Sequence, residues 1–393
     1  MNTRTLFTTA LTGAVLAAPA WASETDDLRA RIDQLESELS SLKQHQGDDW
    51  LTEQRAEEIR EVVQDVLADA DTRASLLQSG MTAGYDGGFM IGSTDGAFLL
   101  KMNGQIQVRH NSSFRDQGNT DIDESRRGFE IRRAKLKFKG HVVDKTWGYQ
   151  INGAYARNGG NFKLEEAVIS KDFENGWKIY AGQFKGPFLR EELVSSSRQL
   201  TVDRSLLNEY FNQDRSQGVQ VEWNPNDQFK IWGMYHDGFN SDNTPWQIED
   251  TEYAFTARAE YLAMGEWKQF KDFTSKQGSE MAVLIGAAIH YEVAEYGTTN
   301  GPEEKDFRVT LDASVEGDGW NAFGYFVYQD LDEANQNPLG FLVQGGVYVT
   351  EDMEIYARYE YGDSDVSSMD DLSILTVGLN KYWNSKVKTT FDL

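Results

Sequence analysis

Cysteine is absent from this chain of 393 residues, so neither a disulfide framework nor a thiolate metal site is available to it. Cations are in deficit: 38 Lys and Arg stand against 63 Asp and Glu, a formal net charge of -25. That balance argues against non-specific nucleic-acid binding, which needs basic surface to replace phosphate counterions, though it leaves room for a local basic patch. Mean hydropathy is -0.58, which excludes a bundle of apolar helices in lipid. The five histidines, His45, His110, His141, His236 and His290, have no metal-ligand spacing; they are expected at interface or lumen positions, with no metal and no cofactor.

Proline is also scarce, at 6 residues, but aromatics make up 12% of the chain and glycine 35 residues. This mix suits many strands joined by tight turns and flanked by aromatic girdles. The N-terminus reads differently. Arg4, an apolar core from Leu6 to Ala18, and Ala20-Trp21-Ala22 give residues 1–22 the pattern of a signal peptide, with the mature chain starting at Ser23. The rival reading is an uncleaved anchor, against which the short core counts. Leu28, Ile32, Leu35, Leu39 and Leu42 then follow spacings of 4, 3, 4 and 3, the seam of a short coiled coil over 23–46. A seam this short gains from chains already held together elsewhere; the alternative is a lone amphipathic helix. Ile59, Val62, Val63 and Val66 mark a helical linker over 47–83, and Gly84-Tyr85-Asp86-Gly87-Gly88 marks the change of period that begins the main domain, 84–393.

From Ala97 the pattern is alternation. Phe98, Leu100, Met102, Ile106 and Val108 share one face, while Lys101, Asn103, Gln105, Gln107 and Arg109 share the other. Similar strands recur at 147–155, 216–223, 228–238, 251–264, 281–291, 306–315, 319–329, 339–349, 353–361 and 372–381. Short turns at 224–227, 316–319 and 350–353 alternate with longer stretches at 111–127, 185–215, 239–250, 292–305 and 362–371. This asymmetry fits an all-β outer-membrane antiparallel barrel of about 16 strands, with periplasmic turns and outside loops. One connection, 265–280, is long on the short-turn side, and the pattern does not explain it. Counting from 97 gives fifteen long strands, so either Phe89–Gly92 adds a short strand or a final strand lies outside this sequence.

Gly182-Gln183-Phe184-Lys185-Gly186-Pro187-Phe188, then Glu191-Glu192-Leu193, Asp203-Arg204-Ser205-Leu206 and Gly218-Val219-Gln220, resemble the phosphate-selective porin O and P family. Asn103-Gly104-Gln105-Ile106-Gln107, Arg132-Arg133-Ala134-Lys135-Leu136 and Gly378-Leu379-Asn380-Lys381-Tyr382-Trp383 extend the resemblance over about 88–393. It implies a trimeric barrel of sixteen strands with a long third loop folded into the lumen, passing small hydrophilic solutes or inorganic anions. The matching loop places Arg190, Glu191, Glu192, Arg198, Asp203 and Arg204 near the constriction. Two departures are the C-terminal Leu393 where the family ends in an aromatic residue, and the acidic outside segments Glu303-Glu304 and Asp363, Asp365, Asp370, Asp371.

Arg133, Lys135, Lys137 and Lys139 alternate with Ala134, Leu136 and Phe138, which turns four cations to one side of a strand. Facing lipid, each would cost about 2 to 4 kcal/mol at mid-depth, so a water-filled lumen is where they belong. With Lys101 and Arg109 on the neighbouring strand they form a possible anion track; the bland reading is wall charge neutralised by loop acids. Glu165-Glu166 supply carboxylates that simple alternation would point apart. Trp147, Tyr155, Trp177, Tyr180, Phe323 and Tyr325 read as interface anchors, with a sugar-stacking slide as the sharper alternative. Ser195-Ser196-Ser197 has no marked histidine base, so no enzyme is expected. The competing functions are a structural outer-membrane anchor with a coiled-coil spacer or tether, and a secreted soluble β-sandwich. The leading expectation is a homotrimeric channel embedded in outer-membrane lipid of a diderm bacterium, its N-terminal helices in the periplasm.

Overall fold

A computed structural model describes residues 30–41, 60, 62–64, 80–115, 124–246, 251–295 and 302–393. The signal-peptide residues, Leu28, Leu42 and most of the linker lie outside the described residues. Chain contacts divide into two units, Met1–Ser79 and Gly80–Leu393. In the first, residues 30–41 form a helix with a Gln34–Glu38 hydrogen bond of 3.1 Å on its surface, and the seam residues Ile32 and Leu35 are exposed.

The second unit is all-β. Its first strands are β1 (Met81–Tyr85), β2 (Phe89–Ser93), β3 (Leu99–Arg115), β4 (Glu124–His141), β5 (Trp147–Tyr155) and β6 (Phe162–Asp172). There follow β7 (Trp177–Lys185), β8 (Arg215–Asn226), β9 (Phe229–His236), β10 (Thr251–Met264), β11 (Ala282–Glu295) and β12 (Glu303–Gly317). The last are β13 (Trp320–Leu331), β14 (Leu339–Thr350), β15 (Met353–Asp363), β16 (Leu372–Tyr382) and β17 (Lys388–Asp392). Each pairs antiparallel with its successor, a meander in which sequence neighbours are sheet neighbours. The short strand expected at Phe89–Gly92 is present as β2. Strands β3, β4, β11 and β12 run further than expected: alternation continues through His110, Ser112 and Phe114, so much of 111–127 and 292–305 is ladder rather than loop.

Alternation explains the wall. On β10, Ala254, Thr256, Arg258 and Glu260 are buried while Tyr253 and Phe255 are exposed, so the polar side faces inward and the greasy side faces out, the reverse of a soluble sheet. The outward aromatics gather in two belts. Toward the short turns, Trp177 stacks on Trp223 at 5.3 Å and Phe229 on Tyr261 at 4.8 Å. Toward the long loops, Tyr155 meets Phe162, Tyr235 meets Phe255 and Tyr253 meets Tyr291. Tyr253 and Tyr261 mark the two belts on one strand, about 27 Å apart along its extended length, close to the height of a bilayer's apolar band. Trp147, Tyr155 and Trp177 are exposed on this outer face. Tyr180, Phe323 and Tyr325 are not interface anchors, because their register turns them inward: Tyr180 pairs with lumen-facing Gln220, and Phe323 and Tyr325 are buried.

Candidate pore constriction

The long connection 186–214 does not stand away from the sheet. It lies against the polar face, carrying two short helices, Arg190–Leu193 and Leu206–Phe211. Its neck is closed by a hydrogen bond from the Gly186 backbone N to Asp214 O at 2.9 Å. A Cβ on Gly186 would fall 1.9 Å from the Gln213 side chain, so only glycine lets the two ends of the loop approach this closely. Ser205 caps the second helix through Asn208 N at 2.9 Å, and Glu191 accepts from both Ser205 N and Ser205 Oγ.

A small apolar core holds the loop down: Phe188, Leu189, Leu200, Leu207 and Phe211 pack on Phe323, Tyr325, Val327 and Leu342 of the wall. Leu207 drops into a cup between Gly340 and Gly362, where any Cβ would lie 2.7 and 2.6 Å from its Cδ2. Polar staples surround that core. Arg258 on β10, fully buried, donates to Phe188 O at 3.0 Å and pairs with Glu260 and Asp312, each at 2.8 Å. Asn380 donates to Leu200 O at 2.8 Å, and Arg358 to Thr201 Oγ1 at 2.8 Å and Asp203 O at 3.0 Å. The loop therefore fills the side of the interior walled by β10–β16.

What remains open is a cavity of ≈ 2820 Å³ bordered mainly by β3–β8, the tip of the loop and the 268–276 stretch. Each residue expected at the constriction can now be placed. Glu192, Arg198, Asp203 and Arg204 border the cavity. Arg190 and Glu191 are buried instead: Arg190 donates to Ser314 Oγ at 3.1 Å and lies 3.4 Å from Glu260, and Glu191 holds Ser205. A short helical turn presents them to the wall, where the loop's attachment consumes their polar groups. Glu192 pairs with Lys185 at 2.8 Å and Arg204 at 3.2 Å. Although burial opposes it, those two cations hold the Glu192 carboxyl down at about 2. Arg204 also donates to Glu191 O and Val194 O, which stiffens the loop internally.

The six wall cations fall into two groups. Lys101 meets Asp86 at 2.5 Å, Arg109 meets Glu130 at 2.5 Å and also Asp203, Arg133 meets Asp203 at 3.0 Å, and Lys135 meets Glu165 at 2.5 Å. Lys137 and Lys139 border the cavity with no ion pair among the described residues. They are two residues apart on one face, about 7 Å. Asp203 thus collects Arg109, Arg132 and Arg133; burial pushes its carboxyl up, but the three guanidiniums outweigh that and keep it below the usual carboxylate range.

Two irregularities were invisible to simple alternation. A bulge between Gln107 and Val108 inserts Arg132 into β4, so Arg132 and Arg133 both reach Asp203. A second, between Asn152 and Gly153, makes Glu165 the extra residue of β6. Glu165 and Glu166 therefore do not point apart, and both approach Arg215, at 3.7 and 3.6 Å. Sequence reasoning also passed over Lys178, Lys271 and Lys276, which border the cavity. His236 and His290 are buried in the interior and stack at 5.5 Å, with Thr256 between them.

A family model described as phosphate-selective porin O and P matches residues 101–334. No curated protein matches the sequence. Among solved structures, the outer-membrane channel DcaP of Acinetobacter baumannii is 13% identical with a TM-score of 0.54, covering 79% of this chain and 92% of that one. OmpF of Salmonella typhi, solved with daunomycin, is 12% identical with a TM-score of 0.53, covering 79% and 91%. An anion-selective porin from Comamonas acidovorans is 13% identical at 0.50, covering 73% and 85%. At these identities the likeness is one of fold, the outer-membrane β-barrel.

Proposed function

The chain belongs to the phosphate-selective porin O and P family, outer-membrane channels for small solutes rather than enzymes, and from that premise we propose that it is an anion-preferring porin. The observation that carries the reading is local. In a chain of net charge -25, the cavity's β4 wall presents Lys137 and Lys139 without ion-pair partners among the described residues, while two of the acids at the outside end accept hydrogen bonds from their own surroundings, Glu304 from the backbone N of Glu333 and Ala334 and Asp371 from Tyr361. Fixed cations on a low-dielectric wall raise the local anion concentration regardless of total charge. Glu192, Arg198, Asp203 and Arg204 on the loop form the mixed-charge rim of the constriction, and a transverse field there orients the passing solute.

The family resemblance supports a homotrimer in outer-membrane lipid; the helical segment before Gly80 lies outside that match, and the reading places it in the periplasm because the short turns of the barrel face that side. The exposed seam residues Ile32 and Leu35 also favour a second role for that segment, helping to hold the chains together or tethering the envelope. Single-channel recording of the purified protein in a planar bilayer under a KCl gradient tests the main reading: closure in three steps with an anion-directed reversal potential is the expected result. Insertion without conductance would overturn it in favour of the anchor. Deleting 24–79 separates the segment's roles: conductance survives if the helices only assist assembly.

A further inference from the structure

The connection between β10 and β11 is the one whose length the turn pattern leaves unexplained, and its placement gives it a purpose. Residues 265–281 fold back against the polar face of the sheet. Phe270 and Phe273 are buried, Phe273 meeting Phe323 of the wall at 4.6 Å. Ser275 Oγ donates to Gly317 O at 2.6 Å, and Thr274 Oγ1 to Glu354 at 3.0 Å. The same segment meets the long loop directly. Phe273 N donates to Arg198 O at 3.2 Å. Arg190 Nη2 donates to Phe270 O at 2.7 Å, and its guanidinium lies 5.7 and 5.9 Å from the rings of Phe270 and Phe273. Arg190 thus fastens the loop that carries it to two parties at once: Ser314 and Glu260 on the wall, and the connection from the opposite end of the barrel. A planar fork with five donors suits that task in a way that an ammonium does not.

The connection also brings charge. Lys268, Lys271 and Lys276 border the same cavity as Lys137 and Lys139, as does Asp272; Lys268 is paired with Glu266 at 2.5 Å, whereas Lys271 and Lys276 have no ion pair among the described residues. Resting on the channel reading above, we infer that residues 265–281 form the second half of the constriction, a cationic sill that completes the anion path at the short-turn end, and that Arg190 is the positioning residue that fixes it against the loop. The sill follows from two properties that a mere turn does not need, buried aromatic anchors and lysines left facing the lumen. Four residues would have joined β10 to β11 with less chain.

Reversal potentials under a KCl gradient test the sill, recorded for Lys271→Glu/Lys276→Glu beside Lys137→Glu/Lys139→Glu, with folding monitored by the heat-modifiable mobility of the barrel on gels. The sill reversal is expected to lower the anion-to-cation permeability ratio by about 2-fold or more. An unchanged ratio with a responsive Lys137/Lys139 wall overturns the sill and leaves the porin reading standing; a channel with no anion preference before any substitution overturns that reading instead. Arg190→Gln is expected to raise unitary conductance and open-channel noise while keeping the sign of the reversal potential, and Arg190→Lys to fall between. Wild-type conductance and noise in a folded Arg190→Gln protein overturn the positioning role. Should Arg190→Gln fail to fold, Arg190→Lys and the double lysine variant still decide the matter.

Discussion

Arg133 on β4 lies 3.0 Å from the carboxylate of Asp203, a residue 70 positions later on the loop. This contact ties the wall to the loop and removes a guanidinium from the free charge of the lumen. Arg109 and Arg132 share the same carboxylate, so a single acid controls three cations. Asp203→Asn is expected to release Arg132 and Arg133, Arg109 staying with Glu130, and to raise the anion-to-cation permeability ratio by about 2-fold. The check is the reversal potential in a KCl gradient; a fall in anion preference would mean that the arginines collapse onto other acids.

Lys137 and Lys139 have no such partner among the described residues. Lys137→Glu and Lys139→Glu, singly and together, are expected to reduce anion preference stepwise, the double variant approaching or crossing to cation preference. Unitary conductance is expected to change little, because the loop is held by other residues, Arg132 and Arg133 on the same strand and Arg258, Arg358 and Asn380 on later ones. The same recordings give both quantities.

Much of this was legible in the residues. Strict alternation located β10 and nearly all of β13–β16 to within a residue or two, and turned Arg133, Lys135, Lys137 and Lys139 to one side, because a period of two leaves little freedom once one face must meet lipid. Three things were not legible. Bulges break the period by one residue, so Arg132 beside Arg133 and Glu165 beside Glu166 read as opposed when they act together. The loop's apolar core sits on a polar wall through Leu207, Gly340 and Gly362, whose meeting depends on contacts more than a hundred residues apart in sequence. Arg190 and Glu191 look like pore residues in a charged loop, and only the packed structure shows the wall groups that claim them.

Arg258 has no exposed surface to speak of, at 1%, and its partners Glu260 and Asp312 are buried with it. Arg258→Met removes one side of a buried charge network, leaving Asp312 uncompensated and Glu260 with Arg190 alone, a change of about 3 to 5 kcal/mol. The folded form should convert to the unfolded form at lower temperature on gels, and the wall should lose its hold on the loop at Phe188 O. Arg258→Met/Asp312→Leu is expected to recover part of the loss.

Selectivity that arises from fixed charge must weaken with salt. Between 0.1 and 1 M KCl the screening length falls from about 10 Å to about 3 Å, shorter than the ~7 Å between Lys137 and Lys139. The permeability ratio is expected to fall toward unity over that range, measured at constant gradient. A ratio that stays constant would indicate direct coordination of the anion rather than a field.

The clasp between loop and wall also dictates an order of assembly. The loop leaves the sheet after β7, yet its holdfasts are Arg258, Arg308, Arg358, Asn380 and Asp392, the farthest of them 190 positions from the group it binds. While the first seven strands alone are in place, the loop can meet only the arginines of β3 and β4 through Asp203 and has none of these later holds. The aperture therefore acquires its final width only when the late strands arrive, so the step that completes the wall is also the step that narrows the passage.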